Sequence, residues 1–142
     1  MDDAALFNLC SAIAQEAHLG QVDQAGEPYI GHPTRVAARL SSTREKCVAI
    51  LHDVIEDSSI DAEELLYRGV PADIVGSVRV VTKQSYGDFI GSVRDSGDPV
   101  AIAVKRADIA DNLDPSRPPL ADPAKATKLR EKYENALRIL DA

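Results

Sequence analysis

The sequence predicts an all-α fold, organised as a single domain over residues 1–142. Three observations lead there. Apolar residues recur at three- and four-residue spacing in almost every segment, no segment alternates apolar and polar residues, and the segments are parted by loops rich in glycine and proline. Leu6, Leu9, Cys10, Ile13 and Ala17 form one apolar stripe, which predicts a first helix ending near Gly20. The stretch "GQVDQAGEPYIGHP" follows, and its three glycines and two prolines predict a loop. Pro33 suits the first turn of a short second helix, 33–40. Thr43 is a candidate N-cap for a third helix carrying "VAILHDVIEDSSI", residues 48–60. Ser58 or Ser59 is expected to end that run and cap the next, "DAEELLYRG", which Gly69 closes. Pro71 opens "PADIVGSVRVVTK", with Ile74, Val75, Val78 and Val81 on one side. "YGDFIGSVRDSG" is a poorer helix former because of Gly87 and Gly91. A further helix runs from Pro99 to about Leu113, and the four prolines of "DPSRPPLADPAK" then require a loop. The last helix, 123–141, turns Leu129, Tyr133, Ala136, Leu137 and Leu140 inward.

Composition narrows the function. The chain has 142 residues, 44% of them hydrophobic, enough to bury a core. Its net charge is −7, and its four tyrosines and two phenylalanines do not interleave with a basic stripe, which argues against a nucleic-acid partner. No run approaches the roughly 18 apolar residues of a membrane helix, and "MDDAALFNLC" lacks the layout of a secretory signal. Neither a membrane nor a nucleic acid is therefore an expected partner. A small anionic ligand is compatible with the overall charge, because a cation cluster or a metal overrides it locally. Cys10 and Cys47 lie among apolar residues and are expected in the core rather than in a disulfide, which implies a cytoplasmic location.

The chemistry starts in "VAILHDVIEDSSI", where His52, Asp53, Glu56 and Asp57 interrupt a run that otherwise asks to be buried. In a continuous helix His52 and Asp53 stand about 100° apart, Glu56 lies a turn beyond His52, and Asp57 a turn beyond Asp53. A solvated helix end accounts poorly for these acids, since they oppose the helix dipole. Burying them uncompensated is prohibitive, and a divalent cation is the economical answer. His32 precedes a helix in a loop bounded by glycine and proline, while Asp108 and Asn112 share one face of an apolar helix. Two histidines and two aspartates make a nitrogen–oxygen set suited to a divalent metal such as manganese. Lys105, one turn before Asp108, is a candidate for the same cleft, and Lys83, Arg94 and Arg106 are further candidates for phosphate contact.

The ordered motifs "GEPYIGHP", "LHDVIED", "VTK" and "VKRADIADNLD" resemble those of the HD-domain phosphohydrolases, and more narrowly the small alarmone hydrolases and the hydrolase domain of the Rel/Spo enzymes. The match runs from about Ala14 to Leu113. The resemblance implies a helical bundle with a central metal cleft, manganese on His32, His52, Asp53 and Asp108, and Glu56 with Asp57 activating the attacking water. It implies that Asn112 and Tyr29 line a nucleotide pocket, and that the substrate is ppGpp, cleaved at its 3′-diphosphate. One segment departs from the pattern. Where the family has arginine and lysine for base and phosphate, "HLGQVDQAG" has Asp23 and Gln24. His18 in that segment reads as a helix-end or packing histidine. Two alternatives stay open: the same metal chemistry on another nucleotide or phosphoester, and a nucleotide-binding module without catalysis. The oligomeric state is open too.

Overall fold

A computed structural model describes residues 1–83 and 87–142. Among these residues it holds nine helices and no strand. They are α1 (Asp3–Ala17), α2 (Gly31–Ala38), α3 (Thr43–Leu51), α4 (Val54–Asp57), α5 (Ala62–Tyr67), α6 (Ala72–Val80), α7 (Phe89–Asp95), α8 (Pro99–Asn112) and α9 (Pro123–Leu140). The expected all-α architecture is what forms. No helix among the described residues is long and apolar enough to cross a membrane.

Helix α3 is the axis of the molecule. Cys47, Val48, Ala49, Ile50 and Leu51 are all buried, and a helix that is apolar all round has to be central. It packs against α1, α2, α6 and α8. A main core unites Cys10, Ile13 and Ala14 of α1 with Val36 of α2, all of α3's buried residues, Val78 of α6 and Val104 of α8. Cys10 and Cys47 are buried free thiols in that core, as expected. A smaller cluster of Val93, Ile109, Ala136 and Leu140 joins α7, α8 and α9.

Several boundaries differ from the sequence reading, each for a local reason. Ser42, not Thr43, caps α3: its hydroxyl accepts from the Glu45 amide while the Glu45 carboxylate accepts from the Ser42 amide, a reciprocal capping box. Asp61, rather than Ser58 or Ser59, caps α5 by accepting from the Glu64 amide at 2.9 Å. Helix α2 starts at Gly31, two residues before Pro33. Helix α7 forms despite Gly91, because that glycine serves the cap. The Asp88 carboxylate accepts from the Gly91 amide, and a Cβ at 91 would meet it at 2.3 Å. The start of "YGDFIGSVRDSG" lies outside the described residues.

The most consequential difference is a break after Leu51. The His52 ring Nδ1–H donates to the Ala49 carbonyl at 2.5 Å and the His52 amide approaches the same oxygen at 3.3 Å. That carbonyl is thereby diverted from its regular helical partner, Asp53. Asp53 adopts φ −105° and ψ 0°, and α4 starts afresh. His52 and Asp53 thus sit at a corner between two helices, not around one continuous helix.

Candidate metal-dependent active site

Three elements meet at this corner. Helix α2 brings His32, the α3–α4 corner brings His52 and Asp53, and α8 brings Asp108. His32 Nε2 lies 2.8 Å from Asp108 Oδ1 and 3.9 Å from Asp53 Oδ2. His52 Nε2 lies 3.1 Å from Asp53 Oδ2 and 3.5 Å from Asp108 Oδ1. His32, His52 and Asp108 are buried, and ligand atoms of His32, His52 and Asp53 all fall within 4.8 Å of one another. The four residues that the resemblance implied as a set are therefore brought together.

Hydrogen bonding fixes which ring nitrogens face inward. The Ala49 carbonyl accepts only, so His52 Nδ1 carries the proton and Nε2 turns its lone pair toward Asp53 and Asp108. Nε2 is buried without a hydrogen-bond partner. His32 is arranged alike: Nδ1 lies 2.7 Å from Asp111 Oδ2 on the outer side, and Nε2 faces Asp108 on the inner side. Two imidazole lone pairs pointing at two carboxylates repel unless positive charge stands between them. A proton on each ring or a metal ion meets that need, and the mixed donor set fits a divalent cation. His32, His52 and Asp53 thus form a group able to hold a metal ion, with Asp108 beside them.

The titration behaviour follows the same cause. Burial alone would lower the His52 pKa, but the charges of Asp53 and Asp108 hold it well above the ordinary histidine value. Burial also opposes protonation of His32, and the bonds to Asp108 and Asp111 outweigh it. Burial would raise both carboxylates, yet His52 draws Asp53 down to about 2, and His52 with Lys105 draws Asp108 well below the usual range.

The centre opens into a cleft of about 1160 Å³, roomy enough for a small-molecule ligand. Glu56 and Asp57 stand on its exposed rim, and ligand atoms of Asp53, Glu56 and Asp57 lie within 4.8 Å of one another. Glu56 Oε1 accepts from the Lys83 amide at 3.0 Å, which anchors α4 to the end of α6. Burial and the neighbouring charges of Asp53 and Glu56 raise the Asp57 pKa, which favours proton uptake there.

The remaining sequence candidates divide. Tyr29 lines the cleft and donates its hydroxyl to Asp53 Oδ2, so it braces the corner from the cleft wall. Asn112 donates to Asp108 Oδ1 at 3.2 Å and to the Asp108 carbonyl at 3.0 Å. Lys105 Nζ donates to Asp108 Oδ2 at 2.7 Å. Gln24 and Lys83 line the cleft. Arg94 and Arg106 do not: Arg94 pairs with Asp95 and reaches the Ile139 carbonyl, and Arg106 pairs with Asp141, so both fasten α9. His18 is buried at the C-terminus of α1, its ring 4.9 Å from that of Tyr29, which is the packing place expected of it.

SpoT of Escherichia coli K12, a bifunctional (p)ppGpp synthase/hydrolase, is 39% identical over 83 residues, which cover 54% of this chain and 12% of SpoT. The guanosine-3′,5′-bis(diphosphate) 3′-pyrophosphohydrolase of Aquifex aeolicus is 32% identical over 114 residues, covering 70% of this chain and 16% of that protein. This chain is a homologue of the SpoT-type hydrolases. It corresponds to only a small part of those relatives' length. A solved structure of a metazoan SpoT ortholog that hydrolyses ppGpp superposes with a TM-score of 0.79 at 23% identity, covering 96% of this chain and 85% of that one. The SpoT-type fold is therefore shared over nearly the whole chain. No protein-family model matches it.

Beside the SpoT-type motifs lie three functional candidates that sequence reasoning missed. Asp111 is fully buried and holds His32 from behind, while Arg35 Nε donates to Asp111 Oδ1 at 2.9 Å. Arg117, in the loop between α8 and α9, donates to Asp23 Oδ2 at 2.9 Å and reaches Asp111 Oδ2 and Asn112 Oδ1, each at 3.3 Å. A spacing signal existed for the first two. Asp111 is three residues from Asp108, and Arg35 three from His32, so each shares a helix face with a predicted ligand. Arg117 carried no such signal.

Proposed function

We propose that this chain is a manganese-dependent phosphohydrolase that removes the 3′-diphosphate of ppGpp. The observation that carries the reading is the buried, unpartnered Nε2 of His52, aimed with His32 Nε2 at two carboxylates on the floor of the cleft. The names of the homologues supply the substrate. In this reading His32, His52, Asp53 and Asp108 hold the metal. When bound, it lowers the pKa of a water and withdraws charge from the phosphoryl oxygens.

The protein's own groups do the rest. Asp57, its pKa raised, takes the proton of the attacking water, and Glu56 orients that water from the rim. The water's oxygen bonds to phosphorus as the bond to the 3′ oxygen breaks, giving GDP and pyrophosphate. Lys105 and Lys83 balance phosphate charge, and Tyr29 keeps Asp53 turned toward the centre. The two buried free thiols support a cytoplasmic place for this activity.

Purified protein should contain or take up manganese and release pyrophosphate from ppGpp. Metal analysis with a product assay tests both. Manganese uptake with no pyrophosphate from ppGpp, but phosphate from another nucleotide, would move the substrate while leaving the chemistry. Asp23 is the specific reason to include other nucleotides in that screen, since it occupies a place where the SpoT-type pattern has arginine.

A further inference from the structure

Asp23 lines the cleft, but both of its carboxylate oxygens are engaged by the protein itself. Its Oδ1 accepts from the amides of Ala25 at 2.9 Å and Glu27 at 3.0 Å, forming the turn of the α1–α2 loop. Its Oδ2 is taken by Arg117, 94 residues away. This pair closes one end of the cleft, where Val22 and Ala25 on one loop and Pro118 and Leu120 on the other join it in the lining. Val22 is 63% exposed, an apolar side chain left open in a polar protein.

The guanidinium itself is nearly saturated at its edge. Nη2 donates to Asp23, and Nη1 is shared between Asp111 and Asn112. Asp23 pairs with it, and Asp111, already bonded to Arg35 and His32, accepts from it as well, so its edge has few free N–H groups to offer a phosphate. Its flat face remains, and guanidinium faces stack on aromatic rings. Through Asn112, which bonds both Arg117 and Asp108, this plane is tied one side-chain amide away from the proposed metal centre. Ammonium groups line the cleft elsewhere, at Lys83, at Lys132 and at Lys105, which is paired with Asp108.

We infer that Arg117 is the nucleobase platform of the cleft and that Asp23 is the residue that positions it. The base stacks on the guanidinium plane among Val22, Pro118 and Leu120, while the phosphates lie toward Lys105 and the metal. The inference rests on reading the cleft as a nucleotide site, and it assigns recognition to a loop distant in sequence from the α1–α2 turn.

Calorimetric titration of GDP and of inorganic pyrophosphate into the manganese-loaded protein tests it. Arg117→Ala should weaken GDP roughly ten-fold and leave pyrophosphate unchanged. Arg117→Lys keeps the charge but loses the plane, and should weaken GDP nearly as much. Asp23→Asn keeps the turn acceptor and loses the carboxylate charge, and should weaken GDP by a smaller factor without altering pyrophosphate. The inference is overturned if Arg117→Ala leaves GDP binding intact or weakens both probes alike. It is equally overturned if lysine restores wild-type GDP affinity, or if the wild type does not bind GDP. Should Arg117→Ala fail to fold, the lysine variant decides alone. Hydrolysis of ppGpp, measured separately on the wild type, judges the proposed function: its absence alongside these binding changes would overturn that reading and keep this one.

Discussion

His32 and Asp111 are 79 residues apart in sequence, yet the Nδ1 of one lies 2.7 Å from the Oδ2 of the other in the interior. Asp111 is completely buried and accepts Arg35 on its second oxygen, so it is held rigidly while it holds His32. The ring is thereby turned so that Nε2 faces Asp108.

Such carboxylate–histidine contacts orient a metal ligand and raise its basicity, and losing them costs about 10- to 100-fold in metal affinity. Asp111→Asn should therefore weaken manganese binding by that factor although residue 111 touches no metal. Equilibrium dialysis against wild type measures it. Equal dissociation constants would mean that His32 is oriented by packing alone.

Direct removal of a ligand should act more severely. His52→Ala and Asp53→Ala should lose most bound manganese and all pyrophosphate release. A metal that binds only the folded state stabilises it by RT ln(1 + [L]/Kd), so manganese should raise the wild-type melting temperature and barely move that of either variant. Equal shifts in all three proteins would place the metal elsewhere.

How much of this was legible beforehand differs by residue. Helix periodicity and the loop prolines were local signals, and they located most of the helices among the described residues to within a few positions. The caps of α3 and α5 were misassigned because Ser, Thr and Asp compete for the same role, and only the backbone decides which is extended. The break at His52 was invisible, since it depends on a ring nitrogen taking the Ala49 carbonyl. Arg94 and Arg106 looked no different from Lys105 in sequence, and only the docking of α9 separates them. Asp23 read as a loss of ligand recognition because its partner, Arg117, lies 94 residues on, past seven helices. Long-range pairs of this kind leave no local pattern.

The division of labour between corner and rim makes a third prediction. Glu56→Gln and Asp57→Asn keep side-chain volume and remove a base, so turnover should fall by about 10²-fold or more. Manganese content should stay near wild type, because both groups stand on the cleft's exposed rim. The Asp57 variant should be the more impaired, because Asp57 is the proposed base and Glu56 only orients the water. Loss of metal with either substitution would make that residue a ligand and would undo the assignment of roles.

The last prediction concerns acid. Burial would raise the Asp111 pKa, but the bonds to His32 and Arg35 bring it from 3.8 down to about 2 in the folded protein. A depressed carboxylate binds fewer protons when folded than when unfolded. Its contribution is therefore complete above about pH 4 and is lost as pH falls from there towards 2. At 1.36 kcal/mol per unit the contribution is on the order of 2 kcal/mol. Asparagine at 111 does not titrate, so Asp111→Asn serves as the flat reference. Urea unfolding of both proteins between pH 6 and pH 2 should show a stability gap that is constant down to about pH 4 and then narrows by roughly that amount. A gap that stays the same through pH 2 would mean that the folded carboxylate takes up protons as the unfolded one does, and that its contacts with His32 and Arg35 do not depress it.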